Sequence, residues 1–243
     1  MCGRFSLNIP ARQIAELFNT MNFQEAPPRF NIAPTQDVLT VYRERTQSGP
    51  WLGMFRWGLI PRWAKDAKIA ARLINARSET LAEKPSFRAA FKARRCLIPA
   101  SGFYEWKKLG SRKQPYFIGL ADRKPFAFAG LWESWLAPEG EEIRTCTILT
   151  TRANTLIADI HDRMPVILAA DRHERWLAPQ PLAAAETAGL FEPFPADEML
   201  AYPVSALVNR VANDEPACAD PSPQPPSVPK PGIADPVQPG LFD

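Results

Sequence analysis

The first residues of the chain, Met1-Cys2-Gly3-Arg4-Phe5, can carry a chemistry that an internal segment cannot. Cys is small enough at the second position for an aminopeptidase to remove Met1, which leaves Cys2 with a free α-amine beside its thiol. A free α-amine titrates at about 7.7–8.0 and an ordinary thiol at about 8.5, so both are partly nucleophilic near neutral pH. Such a 1,2-aminothiol condenses with an aldehyde to an imine through nitrogen, then closes through sulfur to a five-membered thiazolidine. The alternative is an incidental small residue, and chemistry here needs supporting groups.

Three other polar residues have suitable chemistry. Glu105 lies in Ser101-Gly-Phe-Tyr-Glu-Trp106, where strand alternation aims Phe103, Glu105 and Lys107 to one face and Tyr104 and Trp106 to the other. A carboxylate among apolar neighbours tends towards a raised pKa and can serve as a general acid or base; the alternative is an exposed Glu paired with Lys107 or Lys108. His161, in Ile160-His-Asp-Arg-Met-Pro165, is one of only two histidines. It is either a proton-transfer group or a structural histidine bonded to backbone. His173, in a charged helix, reads as a surface residue. Asn75, in Ile74-Asn-Ala-Arg77, can both donate to and accept from an amine or a sugar oxygen, although a turn or cap role would equally use it.

The elements that must position these groups are mostly strands. Ile9 to Phe18 reads as a short amphipathic helix with Ile14, Leu17 and Phe18 on one face. Val38 to Tyr42 and Trp51 to Leu59 read as paired strands about the turn Gln47-Ser-Gly-Pro50. A helix from Ser86 to Lys92, with Ser86 as N-cap, precedes strand signals at Cys96 to Pro99, Phe103 to Lys107, Tyr116 to Leu120, Phe126 to Leu131 and Ile143 to Thr150. Asn154 to Ile160 reads as a short helix, Pro165 to Leu168 as a strand and Asp171 to Leu177 as another helix. Two short helical stretches flank 182–199, and Pro203 to Val211 completes the ordered part. Strands mixed with isolated helices, without βαβ alternation, indicate an α+β fold.

The 243 residues suffice for a full core, and 46% hydrophobic with 23% charged residues is ordinary for a globular protein. Neither a membrane-spanning run nor a signal peptide is visible, so a cytoplasmic, monomeric protein is expected. Cys2, Cys96, Cys146 and Cys218 show no zinc-ligand spacing or disulfide framework, and no metal or cofactor is expected. The net charge of +3 proves no partner, although residues 92–113 gather Lys92, Arg94, Arg95, Lys107, Lys108, Arg112 and Lys113 against Glu105 alone. That cluster is either a nucleic-acid footprint or a solvated basic face. Residues 1–212 are expected to form one domain and 213–243 a disordered tail, because 216–239 carries nine prolines and almost no aromatic residue.

Met1-Cys-Gly-Arg-Phe5, Phe30-Asn-Ile-Ala-Pro34, Arg56-Trp-Gly-Leu59, Asn75-Ala-Arg-Ser-Glu79, Arg95-Cys-Leu-Ile-Pro-Ala-Ser-Gly-Phe-Tyr-Glu-Trp106, Phe128-Ala-Gly-Leu-Trp132, Ile160-His-Asp-Arg-Met-Pro165 and Pro203-Val-Ser205 resemble, in order, the motifs of the SOS-response-associated peptidase (SRAP) family. The resemblance covers roughly residues 2–211 and implies a barrel-like, mostly antiparallel β core flanked by helices. It further implies recognition of abasic sites in single-stranded DNA and covalent attachment through Cys2, which agrees with the aldehyde chemistry above. Asn75 would orient the amine or sugar, Glu105 would shuttle protons, and His161 would stabilise or protonate sugar oxygens. By the same resemblance Arg4, Arg77, Arg163 and Thr150 are candidate phosphate contacts, and Pro34, Trp106 and Met164 candidates to line the pocket or wedge the base stack.

Two enzymatic readings and one non-enzymatic reading compete. Glutamine amidotransferase domains also begin Met-Cys-Gly, but they take oxyanion donors from an Asn-Gly turn, and none of the eight Asn here precedes Gly. A peptidase cleaving its own leader would have only Met1 to remove. A non-covalent reader of damaged or modified DNA would use the basic strands and leave Cys2 idle. In the tail, Gln238-Pro-Gly-Leu-Phe242 resembles the peptides by which repair proteins dock on the sliding clamp, with Leu241 and Phe242 filling an apolar pocket and Gln238 anchoring the other end.

Overall fold

The computed structural model describes residues 2–222 of the chain. In chain order its first half contains β1 (Phe5–Leu7), α1 (Ala11–Leu17), β2 (Arg29–Ile32), β3 (Asp37–Tyr42), β4 (Trp51–Trp57), β5 (Asn75–Arg77), α2 (Arg88–Ala93) and β6 (Arg95–Ala100). The second half contains β7 (Gly102–Leu109), β8 (Arg112–Leu120), β9 (Phe126–Leu136), β10 (Glu142–Arg152), α3 (Thr155–Ala158), β11 (Arg163–Pro165), β12 (Ile167–Leu168), α4 (His173–Leu177), α5 (Ala184–Leu190) and β13 (Met199–Pro203). Strands β10, β4, β3, β6 and β9 pair in that order, and β9 pairs back onto β10, which closes a five-stranded barrel. Every pairing around it is antiparallel except β10 with β4. Closure removes the open edges that a twisted sheet would otherwise expose. The fold is α+β, a barrel core with short helices around it.

A second sheet, in the order β13-β8-β7-β1-β2, lies against the barrel and carries the N-terminal segment. Phe5 pins it there: its ring meets Trp57 at 5.3 Å and Phe128 at 5.7 Å, both edge to face, and Phe103 meets Phe128 at 6.0 Å. Alternation along β7 divides two cores as expected, with Phe103 in the main one and Tyr104 in a smaller cluster with Phe117, Val204, Val208 and Cys218. Anchored three residues after Cys2, Phe5 fixes where Cys2 can lie.

Strand β4 stops at Trp57 because Gly58 turns the chain at φ +132°, where a Cβ would meet the Ala70 carbonyl oxygen at 2.8 Å. That turn lets the Trp57 indole donate to the Ile74 carbonyl at 2.8 Å. β5 then pairs in parallel with β10, with Asn75 opposite Ile148.

Several expectations are corrected. α1 begins two residues later than expected, and its buried residues are Ala11 and Ile14, joined by Phe18 just after its end, while Leu17 is 51% exposed. Ser86 caps nothing: α2 follows buried Phe87, which provides no side-chain cap. The segment 165–168 splits at Val166, whose N–H and carbonyl bond Leu149 and Ala129, so β11 pairs with β10 and β12 with β9. In the basic segment, Arg95 is buried and donates to the Phe91, Trp176 and Gln180 carbonyls, tying the ends of α2 and α4, while Arg94 pairs with buried Glu133. Only Lys107, Lys108, Arg112 and Lys113 are gathered at one place, the β7–β8 hairpin tip. His173 is half-buried, stacked on Phe18 at 5.1 Å and bonded through Nε2 to the Leu168 carbonyl at 3.0 Å, not a surface residue.

The boundary expected at residue 213 also moves. Asp214 accepts from the Arg29 guanidinium and from the backbone N–H groups of Phe30 and Asn31, the latter at 3.0 Å, satisfying the free edge of β2. Cys218 is fully buried, and Val204 bridges Pro221. The described domain therefore continues to Ser222; the proline-rich composition of the whole segment concealed these ten anchored residues. Gln238, Leu241 and Phe242 lie outside the described residues. Among the described residues no helix is long and apolar enough to cross a membrane, and no cluster of His, Cys, Asp and Glu could hold a metal ion.

Candidate active site

The second sheet and the barrel meet at Cys2. The residue is fully buried, its carbonyl accepts from Asn75 Nδ2 at 2.8 Å, and its thiol points to the Arg4 carbonyl at 3.8 Å. Asn75 Oδ1 is buried and accepts no hydrogen bond from a described residue. An orphan acceptor of this kind costs about 1–3 kcal/mol in desolvation, and a donor arriving there recovers that cost. The α-amine created by loss of Met1 is such a donor, on the residue that Asn75 already holds.

Glu105 is 3% exposed on β7, on the face that also carries Phe103. Burial raises its pKa above the ordinary carboxylate value, with the charge of nearby His161 working in the opposite direction. Burial, and secondarily the Glu105 charge, pushes the Cys2 thiol far above the ordinary range. The pair is thus biased towards neutral, proton-carrying forms. His161 follows α3, and its Nδ1 accepts the Arg163 backbone N–H at 3.0 Å, so the neutral ring carries its proton on Nε2. Asp162 Oδ1 lies 2.9 Å from the same Nδ1 and is placed to receive its proton when the ring is cationic. Asn75 and Glu105 each act on Cys2, and His161 acts on Glu105, so the structure gathers all four predicted chemical residues.

The predicted DNA contacts divide. Arg77 is exposed on β5, and Pro34 is half-buried beside Thr35, whose φ of +72° is costly for a β-branched residue. Trp106 is half-buried and donates to Asn209 Oδ1 at 2.8 Å. Arg4 is committed within the fold: Nη1 donates to Asn31 Oδ1 and to the Val208 carbonyl, each at 2.7 Å, and the guanidinium sits 5.9 Å over the Trp106 ring. Met164 is buried in the main core and has no surface with which to wedge a base stack. Thr150 is equally buried, its hydroxyl accepting from Arg163 at 3.3 Å, and Arg163 itself is clasped by Glu79. Sequence reasoning missed Glu79 and Asn31. Both stand inside motifs named above, but their partners are distant in the chain.

Fold and site together define a barrel protein with a buried cysteine near the start of the chain, held by Asn75 and set near Glu105, which come from separate strands. The chain belongs to the SOS response associated peptidase (SRAP) family, whose model matches residues 1–211. It is 49% identical over 220 residues to the abasic site processing protein YoqW of Bacillus subtilis, covering 89% of this chain and 97% of that protein. The abasic site processing protein HMCES of Gallus gallus is 36% identical over 190 residues, covering 68% of this chain and 56% of its own length. A crystal structure of a protein from Bacteroides thetaiotaomicron superposes with a TM-score of 0.82 at 29% identity, covering 91% of this chain and all of the other. A second, from Bordetella bronchiseptica, has a TM-score of 0.72 at 28% identity, covering 84% of this chain and all of the other.

Proposed function

We propose that this protein processes abasic sites in single-stranded DNA by forming a covalent thiazolidine through Cys2 once Met1 has been removed. The observation that carries the reading is the contact of Cys2 with Asn75 and its electrostatic coupling to Glu105, on a chain whose relatives are named for abasic-site processing. An abasic deoxyribose opens by cleavage of C1′–O4′, giving an aldehyde at C1′ and a hydroxyl at O4′. The Cys2 amine adds to C1′, and loss of water yields the imine. The thiol then adds across C=N, forming S–C1′, while its proton ends on nitrogen. Neutral Glu105 supplies the proton for ring opening or dehydration and takes it back as a base; His161, with its proton on Nε2, serves the sugar oxygens. Asn75 holds the amine through Oδ1 while its Nδ2 holds the Cys2 carbonyl. Arg77 contacts phosphate, and Pro34 and Trp106 flank the lesion.

A denaturing gel of the mature protein mixed with an abasic single-stranded oligonucleotide tests this reading. A retarded, heat-stable band is expected, absent for Cys2→Ala. A non-covalent reader would give no band with either protein, and an undiminished band from Cys2→Ala would refute the assignment of Cys2.

A further inference from the structure

Arg163 has two sets of partners, and together they connect an exposed carboxylate to the ring of His161. Its guanidinium engages Glu79 with both terminal nitrogens, Nη1 donating to Oε1 at 2.5 Å and Nη2 to Oε2 at 2.9 Å. Nη2 also donates to the Thr150 carbonyl at 2.7 Å. The backbone N–H of the same residue is the donor to His161 Nδ1 at 3.0 Å. The side chain of Arg163 is 13% exposed against 51% for Glu79, so the carboxylate closes the solvent side of an otherwise enclosed guanidinium. The hydrogen bond from Arg163 holds Glu79 below the ordinary carboxylate range, which keeps it ionised at neutral pH.

A two-point Arg–carboxylate fork fixes direction as well as distance. Here it ties the turn after β5, which carries Glu79, to β11 beside β10, and so it holds the backbone at residue 163 in place. We propose that Glu79 is a positioning residue for His161, acting through Arg163: the fork sets the backbone N–H that selects the Nε2-protonated ring and aims it. The inference rests on the proposed reading that His161 moves protons during crosslinking. It also redefines Arg163, whose terminal nitrogens are committed to Glu79 and Thr150 and meet a phosphate only if Glu79 yields.

The test measures two quantities for each variant: the single-turnover crosslinking rate at saturating abasic single-stranded DNA, and the Kd for the same oligonucleotide with no abasic site. Glu79→Gln is expected to slow crosslinking at saturation by roughly tenfold, within the range that misorientation of a reacting group produces. Its Kd for intact DNA should be unchanged or tighter, because a negative charge has gone from beside a cation. Glu79→Asp should recover part of the rate, and with Arg163→Gln already present Glu79→Gln should slow the reaction no further. A wild-type rate for Glu79→Gln, or an equal slowing in the Arg163→Gln background, would overturn the inference. His161→Ala separates the two readings: if it crosslinks at the wild-type rate, the role assigned to His161 fails, whereas a slow His161→Ala beside a fast Glu79→Gln refutes the relay alone.

Discussion

At the scale of single residues, burial decides the order of events at Cys2. A thiol fully enclosed and facing the Glu105 carboxylate is held protonated well above neutral pH, which makes it a poor first nucleophile. In the proposed reaction the amine, which needs only to lose a proton near pH 8, therefore adds first, and the thiol follows as the ring-closing group. Burial also raises the Glu105 carboxyl above the ordinary carboxylate range, which favours its proton-carrying form. Glu105→Gln is therefore expected to slow adduct formation by roughly 10²-fold or more while leaving DNA binding intact, as measured by quenched gels and by anisotropy. It should also change stability. Because the folded-state pKa of Glu105 lies above the unfolded value of about 4.3, wild-type stability falls as pH climbs from that value through the raised one. Denaturant melts of Glu105→Gln should lack that loss; an unchanged pH profile would mean that the carboxylate is not raised.

At the scale of elements, the site is an intersection of short pieces: the segment before β1 brings Cys2, β5 brings Asn75, β7 brings Glu105, and the turn between α3 and β11 brings His161. Strand runs such as 126–131 and 143–150 were legible because apolar and β-branched residues persist over several positions, and both proved longer than the signal. The four candidate residues stand out in the sequence by type and motif, and the structure brings them together. The bonds that hold the site were not legible, since Cys2 and Asn75 are separated by 73 positions and Glu79 and Arg163 by 84. Arg4 shows the limit well: an arginine beside a reactive cysteine invites a phosphate, yet two of its bonds hold the loop after β13. The β7–β8 hairpin shows the opposite. Its tip places Lys108 directly opposite Lys113 beside Lys107 and Arg112, a like-charge pairing that destabilises a hairpin. DNA phosphates flanking the lesion would neutralise it. Replacing these four cations by Gln should lower affinity and flatten the plot of log K against log salt by about 0.7 for every phosphate that the hairpin neutralises, with the crosslinking rate at saturation unchanged. An unaltered slope would assign the hairpin to solvent.

At the scale of the whole molecule, residues 213–222 complete the domain. Asp214 holds the edge of β2, which pairs with β1, and Cys2 lies three residues before β1, so removing that side chain reaches the site through two strands. Asp214→Ala should cost about 2 kcal/mol or more in unfolding free energy, the scale of hydrogen bonds to a charged group. Burial alone would raise the pKa of Asp214, but the bonds from Arg29, Phe30 and Asn31 outweigh it and lower the folded-state value. The stabilisation is thus complete above the unfolded value of about 3.9 and disappears as pH falls through the depressed one, so acid melts of wild type and Asp214→Ala should converge at the lowest pH. The central claim, that one residue supplies both nitrogen and sulfur to an abasic aldehyde, is tested most directly by intact mass spectrometry of the protein mixed with abasic single-stranded DNA. The account predicts one new species, equal in mass to the chain lacking Met1 plus the oligonucleotide less one water, and no such species from Cys2→Ala. An adduct that retains Met1, or one of equal yield from Cys2→Ala, would contradict it.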